Sequence, residues 1–208
     1  MTVRSLIAFL LACGTCLAST AASADPTPQD KALAQSLFRE GRTLLVAGKT
    51  AEACSKLVES DKLDPELGTH LNVAICHETL GKTASAWVEF GEVADRAERT
   101  RDTDRLRFAR QHAQDLDKKL SRVRVSTPNA PADLVVEIDG ATIGRAALDS
   151  AIPLDPGSHE LRASAHGKTA AVQRFDVPAG PSTIDVAVPP LQDAPVAPLT
   201  PTDRKSVV

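Results

Sequence analysis

The chain has 208 residues, 42% apolar and 25% charged, with a formal net charge of -3. That length suits two small domains better than one large enzyme, and the composition is that of a soluble globular protein rather than a polytopic membrane protein. Aromatic residues make up only 3%, with five Phe, one Trp and no Tyr; a nucleic-acid partner is therefore not expected, since base stacking needs aromatic rings and phosphates need a cationic surface.

The first 24 residues read as a secretory signal. Arg4 precedes the apolar run 6–12, and Ala22-Ser23-Ala24 is the A-x-A pattern that places cleavage between Ala24 and Asp25. The apolar run is too short to span a bilayer, so the mature chain is expected to carry no transmembrane helix. An alternative takes Leu10-Leu11-Ala12-Cys13 as a lipoprotein box, with Cys13 acylated. Either reading puts the protein in the periplasm or outside the cell and leaves Cys54 and Cys76 in an oxidising compartment. The two either form a disulfide, stabilising the fold by about 3 kcal/mol through a loop of roughly 22 residues, or stay as buried thiols.

An internal repeat follows. The segment GKTAEACSKL starting at Gly48 recurs as GKTASAWVEF starting at Gly81. Before the first copy, Leu33, Leu37, Leu44 and Leu45 share a helical face, and Gly48 provides a left-handed stop. Before the second, Leu71, Ala74, Ile75 and Leu80 keep similar spacing, with Thr69 as a candidate start cap. After each Gly-Lys, Thr50 or Thr83 is placed to cap a second helix that buries Ala53 and Leu57, or Ala86, Phe90 and Val93. The unit is helix, tight turn, helix. From Thr103, Leu106, Ala109, Ala113, Leu116 and Leu120 form an apolar stripe, and the mixed charges around it read as a solvated helix face.

These residues resemble the tetratricopeptide repeat. A small residue at the helix contact (Gly41, Ala74) precedes a turn Gly (Gly48, Gly81), then an Ala (Ala53, Ala86), then a bulky residue (Leu57, Phe90), with Pro65 closing the first copy. His77 stands where an aromatic is usual, and the second copy has no closing Pro. The resemblance implies a groove lined by the first helix of each repeat, here Gln35, Phe38, Arg42, Leu45, Leu71, Ile75 and Glu78. By the same resemblance, the groove is expected to take a peptide or protein partner. Phe38 beside Arg42 has the composition of a binding hot spot.

At Arg122 the apolar period changes to alternation. Val123 and Val125 lead into a loop, 126–132, holding Pro128 and Pro131. Short strand-like runs follow: Leu134, Val136 and Ile138; Ile152 and Leu154; Leu161, Ala163 and Ala165; Gln173, Phe175 and Val177; Ile184, Val186 and Val188. Asp139-Gly140, Asp155-Pro156-Gly157-Ser158, Gly167 and Pro178-Ala179-Gly180-Pro181 supply the turns. The stretches VEIDGATIG (136–144) and PLDPGSHELRASAHG (153–167) are similar to the PEGA domain, a small β-sandwich of bacterial envelope proteins. The order of repeats, charged helix and sandwich resembles secreted proteins of myxobacteria-like bacteria. Residues 189–208, rich in proline, read as an extended spacer.

The expected fold is thus α+β in two domains. A signal (1–24) precedes a helical domain (25–122) with repeats at about 34–66 and 67–99 and a capping helix at about 103–121; a linker (123–132), a β-sandwich (133–188) and the tail (189–208) follow. No catalytic, metal or cofactor site is expected. Thr43 and Cys76 stand where a phosphate-binding loop needs its first Gly, and residue 81 is Gly where a zinc-protease helix needs its second His. The functional expectation is a non-enzymatic envelope scaffold whose helices hold a protein partner and whose sandwich docks to the cell wall or an envelope protein. The alternatives are a small-ligand or cell-wall glycan binding module, or an accessory subunit of an envelope enzyme complex.

Overall fold

Thr27 starts the first helix: its hydroxyl accepts from Asp30 N at 3.2 Å while Asp30 Oδ2 accepts from Thr27 N at 3.0 Å, and Pro28 occupies the first helical position. The computed structural model describes residues 25–195 apart from 129. It contains five helices, α1 (Pro28–Val46), α2 (Thr50–Leu63), α3 (Leu67–Thr79), α4 (Thr83–Thr100) and α5 (Thr103–Asp117). The signal and lipoprotein readings fall on residues outside this range. The cap at Thr27 also explains why α1 begins at Pro28, ahead of the repeat start expected near residue 34.

Each helix packs on the next in sequence, and the three-residue turns at 47–49 and 80–82 reverse the chain. Both turns depend on a glycine in the left-handed region, Gly48 at φ 74° and Gly81 at φ 73°, where a side chain is strained. A third glycine serves proximity: a Cβ at Gly41 would meet the Leu57 side chain at 2.9 Å, so its absence lets α1 and α2 close. Ser60 Oγ, buried, donates to Ala34 O at 2.8 Å across the same contact. Two apolar clusters result. One holds Cys54, Leu57, Val73 and Cys76 between α2 and α3, the other Ala74, Phe90, Val93, Ala109 and Leu116 between α3, α4 and α5. Cys54 and Cys76 stand at disulfide distance, with Cα atoms 5.5 Å apart.

The expected capping residues differ. Thr69 is buried inside α3, which starts at Leu67 after Glu66, and Thr50 and Thr83 are the first residues of α2 and α4, with Lys49 and Lys82 in the N-cap positions and no side-chain cap from either. A helix N-terminus leaves several N–H groups unpaired, and at α4 the partner comes from the other half of the chain, as described below.

The β half has seven strands among the described residues: β1 (Ser121–Ser126), β2 (Val135–Ile138), β3 (Ala141–Ile143), β4 (Ala151–Pro153), β5 (Gly157–Ser164), β6 (Ala171–Val177) and β7 (Ser182–Ala187). They form a three-stranded sheet, β4-β1-β7, and a four-stranded sheet, β3-β2-β5-β6. Inward residues of both, among them Val123, Val125 and Val186 from one and Val136, Leu161 and Val177 from the other, make a single core. Asp139 (φ 50°) and Gly140 (φ 79°) form the two-residue turn between β2 and β3, the conformation that Asp-Gly favours.

Three boundaries move. The expected linker 123–132 opens with strand: β1 is antiparallel to β4 and parallel to β7, because Val123 and Val125 are core residues that bridge the other two strands of their sheet. Helix α5 ends at Asp117 because Leu120 and Ser121 are already fully buried at the start of that sheet, where the single Ser121 hydroxyl hydrogen is shared between the carbonyls of Pro178 and Gly180. Residues 189–195 are no solvated spacer. Leu191 packs on the sandwich core, Thr169 N donates to Gln192 O and Ala194 N to Gly167 O, and Lys168 Nζ meets Asp193 Oδ1 at 2.6 Å. The remainder of the tail lies outside the described residues. Among the described residues no helix is long and apolar enough to cross a membrane.

Candidate functional site

On the helical half the expected groove residues fall on α1 and α3, and contacts chain the first helices of the successive hairpins to α5. Arg42 Nη1 donates to Asn72 Oδ1 at 3.2 Å, joining α1 to α3, and Glu78 Oε2 lies 2.7 Å from His112 Nδ1, joining α3 to α5. Gln35 and Arg42 are exposed. Phe38 is not the exposed anchor its neighbourhood in sequence implies: together with Leu45 it packs, half-buried, on the Cys54–Cys76 cluster. Leu71 and Ile75 likewise lean on the cluster around Phe90. Among the described residues the aromatic ring classed as exposed is Phe108 on α5, 40% exposed and lying tilted against His112 with ring centroids 4.2 Å apart. Sequence reasoning placed α5 as a cap and missed it; Phe108 and His112 four residues apart on a helix outside the apolar stripe were the available signal.

The second site lies between the halves. The Asp155 side chain, from the turn between β4 and β5, reaches the N-terminus of α4. Its Oδ1 accepts from Ala84 N at 2.8 Å and Ser85 N at 2.9 Å, and its Oδ2 accepts from Ser85 Oγ at 2.5 Å. A carboxylate here satisfies two otherwise unpaired N–H groups and meets the positive end of the helix. The repeat itself marks the place: the first copy reads Thr50-Ala51-Glu52, with its own acidic residue in the first turn, and the second reads Thr83-Ala84-Ser85 and takes the acid from Asp155.

Beside this contact is a cleft of about 610 Å³. Val88, Ile138, Pro153 and Leu154 give it apolar walls, and Glu89, Glu92, Asp139, His70 and His159 give it polar ones. His70 Nδ1 is 2.6 Å from Asp61 Oδ2 and its Nε2 is 2.9 Å from Glu92 Oε2. The hydrogen bond to Asp61 raises its pKa above the usual 6.5, against the opposing effect of burial and with help from the charges of Asp61, Glu92 and Glu89. His159 Nδ1 is 2.6 Å from Asp139 Oδ2 and its Nε2 is 2.8 Å from Asp155 O, so it orients both turns that border the cleft. Burial acts to raise the Asp139 pKa, but bonds from Glu160 N and His159 outweigh it and leave the carboxyl below its ordinary value. His77 is held by Glu89 at 2.8 Å. These histidines bind carboxylates and backbone, and among the described residues no group of three or more His, Cys, Asp or Glu is placed to hold a metal ion.

Compared with known proteins, the chain matches no protein-family model and no curated protein.

Proposed function

We propose that the protein is a non-enzymatic scaffold of the bacterial cell envelope, periplasmic or secreted, built from tetratricopeptide-like hairpins and a PEGA-like sandwich. The helical groove takes a peptide or protein, and the sandwich docks to the cell wall or to an envelope protein. The observation that carries this reading is the Asp155 contact. It ties the N-terminus of α4, in the second repeat, to the sandwich through three hydrogen bonds of 2.5–2.9 Å, and a direct link between its two surfaces is what an adaptor needs. The cysteine pair at disulfide distance fits an oxidising compartment.

Affinity capture from envelope extracts tests the groove. Arg42→Ala and Phe108→Ala are the informative variants, since both residues are exposed, whereas Phe38→Ala also removes packing from the cysteine cluster. Reduced recovery of a specific partner by these two variants supports the groove; recovery equal to wild type counts against it. Retention of the whole chain on purified sacculi tests the docking role of the sandwich.

A second reading, a small-ligand or glycan binding module, is favoured by the cleft, which lies at the junction of two halves and mixes apolar walls with a few convergent polar groups. Titration with soluble cell-wall fragments separates the two: heat of binding that disappears in Glu92→Gln assigns ligand binding to the cleft, and no heat leaves the adaptor reading alone.

A further inference from the structure

Both sheets end in strands with one unpaired side, and these edges differ. In the four-stranded sheet β3 is a three-residue edge, while the opposite edge, β6, runs seven residues from Ala171 to Val177 in unbroken register with β5. Among the described residues no backbone hydrogen bond other than those of that ladder reaches 171–177. Such an edge is protected by a bulge, a proline, charged side chains or a covering element. The strand AVQRFDV holds no bulge and no proline, and its charges, Arg174 and Asp176, are of opposite sign and point outward with Val172, which is 53% exposed.

We propose that this edge is an interface with a second copy of the chain, in which two β6 strands pair antiparallel about a two-fold axis through Phe175. Register decides the matter. Outward residues must face outward residues across the axis, so the axis passes through a residue and not between two. Centred on Arg174, the pairing sets arginine against arginine; centred on Asp176, it sets carboxylate against carboxylate. Centred on Gln173, it opposes Arg174 with Val172 and leaves Asp176 against Ala170. Centred on Phe175, it opposes Arg174 with the partner's Asp176 and Asp176 with the partner's Arg174, with Gln173 and Val177 facing each other on the inner side. That register alone opposes unlike charges twice and like charges nowhere, and cross-strand pairs of this kind are the units that stabilise a sheet. Arg174 already lies 3.7 Å from Glu160 on its own sheet, so the guanidinium would sit between two carboxylates. The edge β7, whose charged residue is Asp185, has no equivalent complement within itself.

The C-terminal segment lies against 167–169, before the start of β6, so the ladder of this register is confined to 173–177. Gly157, next to the Asp155 contact with the helices, pairs with Val177, so β6 ends at the helical pole of the sandwich. An antiparallel partner therefore carries its helical stack to the opposite pole, and the two stacks stay apart. The result is one continuous eight-stranded sheet with closed two-fold symmetry.

Sedimentation velocity over a concentration series of the chain from Asp25 onward, with its cysteines oxidised, tests the proposal. Wild type is expected to shift from monomer to dimer, while Arg174→Asp and Asp176→Arg, each of which sets like charges opposite one another twice, weaken the association about tenfold or more. The double reversal, Arg174→Asp with Asp176→Arg, restores it. Amide exchange on wild type gives an independent reading: protection of Arg174 and Asp176, whose N–H groups face the free edge, must rise with concentration. A chain that stays monomeric up to about 1 mM, where even a millimolar Kd shows as dimer, overturns the interface. So does a dimer indifferent to the single reversals, or one in which β6 amides gain no protection.

Discussion

Replacing Asp155 with alanine strips the α4 N-terminus of its acceptor while leaving the sandwich core untouched. The loss combines two backbone N–H bonds and one hydroxyl bond. Removing an N-capping side chain costs about 1 kcal/mol, and the charge facing the helix end adds about 0.3 to 1 kcal/mol. Ala84 is buried, so its N–H has poor access to water in compensation. Together these give about 2 kcal/mol, or a fall in Tm of roughly 4–8 °C for a chain of this size. Asp155→Asn keeps a carbonyl acceptor for the two N–H groups and loses the charge, so about half that loss is expected. Urea unfolding followed by the fluorescence of Trp87, the single tryptophan and two residues from Ser85, reads the change directly. A double-mutant cycle with Ser85→Ala isolates the contact between the halves, with an expected coupling of about 1 kcal/mol. If Asp155→Ala leaves the unfolding midpoint where it was, or the cycle shows no coupling, the two halves are not held together as argued and the adaptor reading loses its mechanical basis.

Two further expectations concern the helical half. Replacing both Cys54 and Cys76 with alanine, or reducing the chain, should cost about 3 kcal/mol in the same unfolding assay, the value for a closed loop of 22 residues; a loss near zero means the pair is not bridged in the folded protein. His70 has a folded-state pKa above 6.5, so its contribution to stability is complete below about 6.5 and disappears as pH rises through the folded value. His70→Gln should flatten the pH dependence of the urea midpoint across that window, and an imidazole titration by NMR that centres at or below 6.5 refutes the assignment.

How much of the fold and the site is legible in the sequence depends on the distance along the chain between the residues in contact. The repeated Gly-Lys-Thr-Ala segment fixes two local turns, and Gly48 and Gly81 both adopt the conformation their position implies. Asp139-Gly140 likewise specifies its own turn. Contacts formed by residues far apart left weaker marks. In Ser121–Ser126 the alternation of Val and Arg is too short to tell a strand from the approach to a loop, and the partner that makes it a strand, β7, lies about sixty residues away. Asp155 reads as part of a Pro-Gly turn, and only the folded chain brings it to Ala84, 71 residues earlier. Proline content alone made 189–195 look solvated, although Leu191 had an apolar surface to cover. Phe38 beside Arg42 pointed to recognition because a sequence window cannot show that the cysteine cluster lies beneath the ring.

The parallel pairing of β1 with β7 has a consequence for the path of the chain. Both strands leave the helical stack and travel the same way, and six residues of strand cover about 20 Å. The polypeptide therefore enters the sandwich at one pole and departs it at the other. The last described residues lie against Gly167, at the end of the sandwich away from the helices, so the two ends of the β half are about one strand length apart.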